Sequence, residues 1–332
     1  MPENQAVILK KRCAGVPAVT DFDLRTVPTP DPADGEILVE NIYLSLDPYL
    51  RGRIAGRHIS GAIAVGDTMP GETVARVIGS NSDACPVGSL VTGHGGWQRY
   101  AALAADAVKP VNSHGLAESL TLGVLGMPGL TAYAGMTRLA EMKKGDTVLV
   151  SAASGPVGST VGQVARLNGC RVIGIAGGAD KCAWVTDKAG FDACIDYKAE
   201  AVRDRLAALA PDGIDIYFDN VGGDILQAAM EHMAVGARVV LCGLMAQYNA
   251  EDTPPGPNPG LIIKARATVR GLVVYDHWDL AEDAAAAIAG WIRQGQFACL
   301  EDVTDGLENA ADAFVRLMSG GNFGKALVKI GA

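Results

Sequence analysis

Residues 147–158, TVLVSAASGPVG, decide the fold of this chain, because they join a short apolar run to a turn that contains two glycines. A segment with helical periodicity follows over 156–169. Gly155 allows the backbone to approach a bound pyrophosphate, and Gly158 allows the helix to pack closely on the strand. The helix N-terminus supplies amide hydrogens and the positive end of the helix dipole for the phosphates. The stretch is therefore typical of a dinucleotide-binding turn, with an alanine in place of the first glycine.

Downstream of this turn, apolar runs alternate with segments of helical periodicity. The predicted strands cover 171–176, 193–195, 214–218, 238–242 and 267–274, and the predicted helices cover 180–189, 199–209, 222–234 and 279–294. This alternation predicts a doubly wound parallel sheet, so the fold class is α/β. A glycine motif alone is weak evidence, but here a strand precedes it and a helix and further strands follow it. Dinucleotide binding is therefore favoured over a purely structural strand–helix turn.

The N-terminal part of the chain, up to about residue 125, is rich in short strands and turns. Alternating segments at 35–44 and 71–79, and a run between glycines at 88–93, predict a small β-barrel or sandwich. The C-terminal segment 325–330 also has strand character and needs a sheet to join.

Residues 119–137 contain no charged side chain. The length of this run alone permits a membrane span. Its glycines and its proline favour a buried connection between domains instead.

The composition argues against several classes of protein. The formal net charge is −9 and no run of Lys and Arg occurs, so neither a nucleic-acid partner nor an anionic membrane surface is expected. The chain starts without an apolar secretory segment, and its seven cysteines include no Cys-x-x-Cys pair, so we expect reduced thiols in the cytoplasm. The five histidines, including His94 in a glycine-rich loop, are not spaced with Cys or Glu as metal ligands. We therefore expect no metal.

The end of the second predicted strand bears on the choice between NAD and NADP. An NAD site usually has an Asp or Glu there to bind the ribose 2′-hydroxyl. Here the strand ends at Ala176-Gly177-Gly178, which leaves room for a 2′-phosphate, and the cation Lys181 follows. Two alternatives remain: Asp180 as the acid of an NAD site, and Lys181 as a solvated helix charge. The pattern favours NADPH.

Five segments of the chain together resemble one family. They are 44–51 (LSLDPYLR), 126–133 (GMPGLTAY), 153–178 with the glycine turn and the second strand, 219–223 (DNVGG) and 322–325 (NFGK). The chain resembles, over essentially its whole length, the zinc-independent medium-chain dehydrogenases/reductases that include prostaglandin reductase, plant alkenal double-bond reductases and bacterial curcumin reductase. The resemblance implies a GroES-like β-barrel catalytic domain of residues 1–125 and 296–332, and a Rossmann NADP-binding domain of residues 126–295. It also implies NADPH-dependent reduction of the carbon–carbon double bond of an α,β-unsaturated aldehyde or ketone.

The resemblance also assigns cofactor-binding residues. Lys181 and Tyr197 hold the 2′-phosphate end, while Asn220 and Cys242 lie along the rest of NADPH. The complete predicted set is Gly155, Pro156, Val157, Gly158, Lys181, Tyr197, Asn220, Cys242, Leu272, Val273, Val274 and Asn322. Leu272 stands where an aromatic residue is common in the family. Without the family, Tyr197 is equally an aromatic residue at a strand boundary, and Cys242 is a buried strand thiol.

Two tyrosines are the candidate catalytic residues. Hydride addition to the β-carbon of an enal or enone places negative charge on the carbonyl oxygen, so a metal-free site needs a hydrogen-bond donor there. Tyr248 follows the strand that ends at Cys242 and donates without a change of charge. In the plant double-bond reductases that the chain resembles, a tyrosine at this position is the proposed proton donor. Tyr49 lies in a turn that the family places beside the substrate, and Arg51 is expected to be structural. Each tyrosine has a packing role as its alternative.

Two other functions stay open at this point. A zinc-free NADP-dependent quinone or alcohol oxidoreductase carries the same cofactor motifs, and a non-catalytic NADPH-binding protein keeps the turn without turnover. The segment 44–51 and Tyr248 favour the alkene reductase. A homodimer is expected from the resemblance alone.

Overall fold

The computed structural model describes residues 3–250, 252 and 254–331, and the chain divides into two compact units. One unit comprises Met1–Leu122 with Glu301–Ala332, and the other comprises Gly123–Leu300. The second unit is therefore inserted into the sequence of the first. The functional division predicted at 125/126 and 295/296 remains a prediction.

The elements are numbered in chain order. The strands are β1 (Asn4–Leu9), β2 (Phe22–Val27), β3 (Glu36–Ser45), β4 (Thr73–Ser80), β5 (Leu90–Gly93), β6 (Tyr100–Ala104), β7 (Lys109–Pro110), β8 (Thr147–Ser151), β9 (Arg171–Ala176), β10 (Ala193–Asp196), β11 (Ile214–Asp219), β12 (Met233–Leu241), β13 (Thr268–Gly271), β14 (Glu301–Asp305) and β15 (Lys325–Lys329). The helices are α1 (Tyr49–Ile54), α2 (Met127–Ala134), α3 (Pro156–Leu167), α4 (Ala179–Asp187), α5 (Val202–Leu209), α6 (Gly223–Glu231), α7 (Met245–Tyr248), α8 (Gly260–Ala265), α9 (Ala281–Arg293) and α10 (Ala310–Met318).

The inserted unit is built on a six-stranded parallel sheet in the order β10-β9-β8-β11-β12-β13. The strand order reverses between β8 and β11, which are adjacent in the sheet although two strands lie between them in sequence. Since all six strands run in one direction, their carboxyl ends meet along one edge, where sheets of this type bind ligands. The predicted doubly wound sheet is confirmed.

Both faces of this sheet are buried, which explains why its strands are continuous apolar runs. Val148 and Val150 belong to one buried cluster, whereas Leu149 between them belongs to the cluster on the opposite face. Helix α3 lies close to the first cluster, because a Cβ at Gly162 would come within 1.9 Å of the Phe191 ring. The missing Cβ at Gly162 therefore allows α3 to pack directly against the Phe191 ring.

Several predicted elements have other bounds in the structure, and two of them show the reason. The helix predicted over 222–234 ends at Glu231, because β12 begins at Met233, which pairs with Ile214 across a register shift. The strand predicted over 267–274 is confined to Thr268–Gly271 and leads into a 3₁₀ helix, Val274–Leu280. Apolar periodicity shows which residues are buried, but not where pairing with a neighbouring strand stops.

The other unit is built on a seven-stranded sheet with β3 at its centre. Along one edge β3 pairs with β4, and along the other it pairs first with β6 and then with the C-terminal strand β15. The C-terminal segment therefore joins a sheet, as the sequence predicts. The core of this unit includes Trp97, which is fully buried. The Trp97 ring stacks on Phe22 with ring centroids 5.8 Å apart and meets Phe314 edge-on. The predicted α/β class with a β-rich first domain is confirmed.

The uncharged run 119–137 is mostly buried and is broken into short helical pieces, α2 among them. A Cβ at Gly129 would lie 1.8 Å from the Val124 carbonyl oxygen, so only glycine fits at the start of α2. Among the described residues, no helix has both the length and the apolar character needed to cross a membrane.

Candidate active site

The turn between β8 and α3 has the shape that its glycines require. Ala152, at the end of β8, adopts φ +51°, a left-handed conformation that glycine adopts freely and other residues adopt rarely. Gly155 is the N-cap of α3 and Pro156 follows it as the first helical residue. A Cβ at Gly158 would lie 2.3 Å from the Ala152 carbonyl oxygen. The close approach assigned to Gly158 from the sequence is therefore present, and the first amides of α3, including that of Val157, have no partner within the helix.

The ends of β9 and β10 bring Tyr197 and Lys181 to one turn. A Cβ at Gly177 would come within 2.8 Å of the Tyr197 ring, so this ring packs directly on the glycine backbone. The Gly178 amide donates to the Asp196 carboxylate over 2.8 Å, which ties the β9–α4 turn to β10. Lys181, partly buried, lies in the first turn of α4, close to this glycine pair.

The ends of β8 and β11 share a buried polar network centred on Asp219. Its carboxylate accepts hydrogen bonds from the Tyr217 hydroxyl over 2.6 Å, the Ser151 hydroxyl over 3.0 Å and two backbone amides of the following turn. Asn220 is held twice by Ser151: its amide donates to the hydroxyl and its side-chain Nδ2 donates to the carbonyl, each over 2.8 Å. The side chain of Asn220 is therefore fixed at the carboxyl edge before any ligand binds.

Tyr248 lies beside the end of β12. A Cβ at Gly243 would be 3.3 Å from the Tyr248 hydroxyl and 3.1 Å from the Asn220 carbonyl oxygen, so both groups border the same glycine. Burial raises the pKa of the Tyr248 phenol above its ordinary value, against a smaller lowering effect from a hydrogen bond with the Leu244 backbone. Tyr248 thus keeps its proton at neutral pH and serves as a hydrogen-bond donor.

Cys242 follows β12 at the same edge. Its amide donates to the Asp219 carbonyl over 2.8 Å. Burial, and then the Asp219 carboxylate, raise the pKa of its thiol to about 12, so the thiol is neutral. Cys242 therefore offers a small uncharged surface rather than a nucleophile.

The three residues predicted to contact the cofactor after β13, namely Leu272, Val273 and Val274, differ in how far their side chains are exposed. Leu272 is 7% exposed and its side chain belongs to the core cluster that contains Phe218, so contact with a ligand would fall to its backbone. Val273 is 37% exposed, and Val274 packs partly on the helices below it.

Tyr49 and Asn322 belong to the unit built on β3 and are described within it. Tyr49 is the first residue of α1, and its ring lies 5.1 Å from that of His58, centroid to centroid. Arg51 is 2% exposed and donates to the Gly15 carbonyl over 2.7 Å, which agrees with the structural role predicted for it. The side chain of Asn322 donates to the carbonyl oxygen two residues later over 2.9 Å.

The same unit contains a buried charge cluster. Asp47 and Lys325 form an ion pair of 2.6 Å, and Lys325 also donates to the Leu46 carbonyl. The Ser45 hydroxyl donates to the second oxygen of Asp47. Burial, followed by the like charge of Asp47, raises the pKa of Glu72 to about 7, against the attraction of Lys325. Glu72 is therefore a carboxyl group that gains and loses its proton near neutral pH.

Comparison with known proteins shows similarity along nearly the whole chain. Residues 5–111 match the model for the N-terminal domain of oxidoreductase, and residues 156–290 match the model for zinc-binding dehydrogenase. The chain is 39% identical to the NADPH-dependent curcumin reductase of Escherichia coli (strain K12), covering 98% of this chain and 97% of that one. It is 41% identical to prostaglandin reductase 1 of Bos taurus, with 97% of each chain covered.

A solved structure agrees with these relatives. The crystal structure of CurA in complex with NADPH from Vibrio vulnificus is 41% identical, covers 99% of each chain and superposes with a TM-score of 0.93. The chain belongs to the medium-chain dehydrogenase/reductase family. Within this family it lies with the curcumin and prostaglandin reductases, as the five sequence segments indicated.

Zinc is the metal that the description of one family model implies. In the part of the chain that the structure describes, no group of three or more His, Cys, Asp and Glu side chains is placed to hold a metal ion. Burial, followed by the charge of Arg53, lowers the pKa of His94, the one candidate ligand considered from the sequence.

Sequence reasoning missed three residues that position the site. Ser151 and Asp219 fix Asn220, and Asp196 fixes the β9–α4 turn. A signal was present for each, since all three are polar residues at the end of an apolar strand. What the pattern did not show was which of them would meet, because β8 and β11 are far apart in sequence.

Proposed function

We propose that this protein is an NADPH-dependent reductase of the carbon–carbon double bond of α,β-unsaturated aldehydes and ketones. One observation carries the proposal: the dinucleotide turn at Gly155–Gly158 and the protonated hydroxyl of Tyr248 lie along the same carboxyl edge of one parallel sheet. The named activities of the curcumin and prostaglandin reductases that the chain resembles, and of the 2-alkenal reductase (NADP(+)-dependent) of Nicotiana tabacum at 39% identity over 98% of this chain, support it.

The residues at this edge fit a dinucleotide. The backbone at Gly158 leaves no room for a Cβ, and the N-terminus of α3 offers amides to a pyrophosphate. The β9–α4 turn has no carboxylate of its own at Gly177 and Gly178, although Asp196 of β10 accepts a hydrogen bond from the Gly178 amide. Lys181 and Tyr197 flank this turn as partners for a 2′-phosphate. Bound NADPH supplies a hydride from its nicotinamide ring. The fixed amide of Asn220 and the neutral thiol of Cys242 follow β11 and β12 at the same carboxyl edge, where they would line the rest of the bound cofactor.

The protein's own contribution to the reaction is a positioned donor. Tyr248 donates a hydrogen bond to the carbonyl oxygen of the substrate as negative charge develops there, and this interaction is strongest in the enolate. Its raised pKa keeps the proton on the hydroxyl, available for transfer toward the α-carbon or the enol oxygen. The roles of Tyr49 beside the substrate and of Asn322 beside the cofactor rest on the family resemblance alone.

The decisive experiment follows the oxidation of NADPH by the purified protein with a panel of 2-alkenals and enones, with NADH in parallel. We expect consumption of NADPH and release of the saturated carbonyl compound, identified by mass spectrometry, with NADH a poorer donor. Turnover confined to quinones, or to saturated alcohols with NADP, would replace the proposal by the quinone or alcohol oxidoreductase. Tight NADPH binding without turnover of any substrate would replace it by a non-catalytic binding protein.

We further propose that the protein is a cytoplasmic homodimer. Seven free cysteines agree with a reducing compartment. Strand β13 ends the sheet among the described residues, and the exposed aromatic rings of Tyr275 and Trp278 follow it, which suits a subunit contact. Light scattering on the purified protein would measure one chain mass if this is wrong.

A further inference from the structure

Two cysteines of the inserted unit, one on α4 and one on β10, face each other. The Sγ atoms of Cys182 in α4 and Cys194 in β10 are 3.0 Å apart, closer than non-bonded sulfur atoms ordinarily approach. Bonded sulfur atoms lie about 2.05 Å apart, so a relative movement of about 1 Å would join them. Both side chains are partly exposed, so a small oxidant can reach them.

The other cysteines with a hydrogen-bonded thiol differ from this pair. The Cys85 thiol donates to the Ala105 carbonyl, and the Cys170 thiol donates to the Lys143 carbonyl. Both are buried and each is satisfied by backbone. Only Cys182 and Cys194, among the described residues, have their sulfur atoms directed at one another.

The pair lies directly beneath the turn proposed to bind the 2′-phosphate. Cys182 is adjacent in sequence to Lys181, and its amide donates to the Gly178 carbonyl over 3.1 Å. Cys194 lies on the strand that ends at Asp196, whose carboxylate accepts from the Gly178 amide. A bond between the two sulfur atoms would therefore connect the two elements that hold this turn.

We propose that Cys182 and Cys194 form a reversible disulfide with a low-molecular-weight disulfide as the oxidant, and that its formation weakens binding of the 2′-phosphate of NADPH. The second part rests on the proposed function, since it requires that Lys181 and Tyr197 bind that phosphate.

The reaction proceeds by two thiol–disulfide exchanges. The Cys182 thiolate attacks one sulfur of the small disulfide, forms a mixed disulfide and releases one small thiolate. The Cys194 thiolate then attacks the Cys182 sulfur, closes the protein disulfide and releases the second small thiolate. The two thiolates take up the two protons that the cysteines lose, and the small disulfide takes up the two electrons.

The contacts assign the order of attack. Burial raises the pKa of both thiols, but the hydrogen bond from Cys194 lowers that of Cys182 and raises that of Cys194. Cys182 therefore loses its proton first and is the attacking thiol, with Cys194 as the resolving thiol. Because both pKa values lie above the ordinary value, closure becomes faster as the pH rises above neutrality.

The first test measures disulfide formation and needs no cofactor. The reduced protein is incubated with glutathione disulfide, free thiols are titrated under denaturing conditions, and digested peptides are examined by mass spectrometry. We expect loss of two thiols, a linked peptide pair that contains Cys182 and Cys194, and full recovery with dithiothreitol. Cys182→Ser and Cys194→Ser should each abolish the linked pair, whereas Cys13→Ser, at another partly exposed cysteine, should retain it. Absence of the linked pair in the natural protein would overturn the proposal.

The second test measures the coupling to NADPH. We expect the dissociation constant for NADPH, followed by nicotinamide fluorescence, to rise by about five- to tenfold in the oxidised protein, with NADH unchanged. Cys194→Ser should show no such change after the same treatment. An oxidised protein with unaltered NADPH affinity would refute the coupling. Failure of the proposed 2′-phosphate site is distinguishable, because the reduced protein would then bind NADPH no more tightly than NADH while the linked peptides would still form.

Discussion

Replacing Gly158 with alanine tests whether the β8–α3 turn forms the proposed cofactor site. The added Cβ would lie 2.3 Å from the carbonyl oxygen of Ala152 and 2.8 Å from its carbon, whereas ordinary contact begins near 3.4 Å. Both obstructing atoms belong to the backbone of the same turn, so no side-chain rotation relieves the overlap. The start of α3 must therefore move by about 1 Å.

The expected magnitude follows from two opposing effects. Overpacking of this kind costs about 1 to 3 kcal/mol. Replacing a helical glycine with alanine recovers up to about 1 kcal/mol. With the full recovery of about 1 kcal/mol, we therefore expect a net loss of about 0 to 2 kcal/mol in the free energy of unfolding, measured by urea denaturation. The displaced amides should also raise the dissociation constant for NADPH at least about tenfold, equal to about 1.4 kcal/mol.

Ala152→Gly provides the matched control in the same turn. Ala152 already adopts φ +51°, which glycine adopts freely, so this variant should keep NADPH affinity and change the free energy of unfolding by less than about 1 kcal/mol. The reasoning is refuted if Gly158→Ala binds NADPH as tightly as the natural protein and unfolds at the same urea concentration.

Three further predictions follow from the same site and its surroundings. Lys181→Ala should lower kcat/KM for NADPH by about tenfold and leave kcat/KM for NADH unaffected. Lys188→Ala, at the other end of α4, should change neither value. An equal loss of kcat/KM with both cofactors would contradict the binding of the 2′-phosphate by Lys181. Tyr248→Phe should lower kcat by about 10- to 100-fold with unchanged NADPH affinity, because one donor to the enolate is removed; an unaltered kcat in stopped-flow assays would leave proton donation to another group. The pKa of Glu72 in the folded protein is raised from 4.5 to about 7. Its contribution to the free energy of unfolding is therefore complete at low pH and is lost as the pH rises through about 7. The loss is at most about 3 kcal/mol, because the residue is partly exposed. Glu72→Gln should therefore gain stability relative to the natural protein between pH 5 and 8 in chemical denaturation. A parallel course of the two stabilities would show that burial and the like charge of Asp47 do not raise the pKa of Glu72.

Most of the inserted unit was predictable because its signals are local. The run 147–152 has the apolar character of a strand buried on both faces, and Gly155 with Gly158 marks the turn that follows. The predicted bounds of an element were wrong where its end depends on a neighbouring strand rather than on the local sequence. Val273 and Val274 continue the apolar run of β13, although the pairing with β12 ends where the Leu272 amide donates to the Leu241 carbonyl over 2.9 Å. Burial and strand pairing favour the same residue types, so the sequence does not show where the strand ends.

The candidate site was predictable only as a list of residues with separate roles. Asn220 was assigned from the family motif, but its orientation depends on Ser151, 69 positions away in the chain. Tyr248 was placed after a strand end, but that it lies near Asn220 depends on Gly243, which follows β12 and borders both residues. Such contacts require the strand order, which periodicity does not contain.

By itself, the sequence determined the kinds of element, the dinucleotide turn, the absence of a carboxylate at the end of β9 and the membership of the family. These depend on side-chain periodicity, glycine positions and short motifs, each of which acts over a few residues. Only the tertiary structure decided that Asp219 gathers Ser151 and Tyr217 in one network, and that Cys182 meets Cys194. The physical reason is that these contacts join neighbouring elements of the folded chain, and which elements become neighbours is settled by packing of the whole sheet rather than by any local stretch.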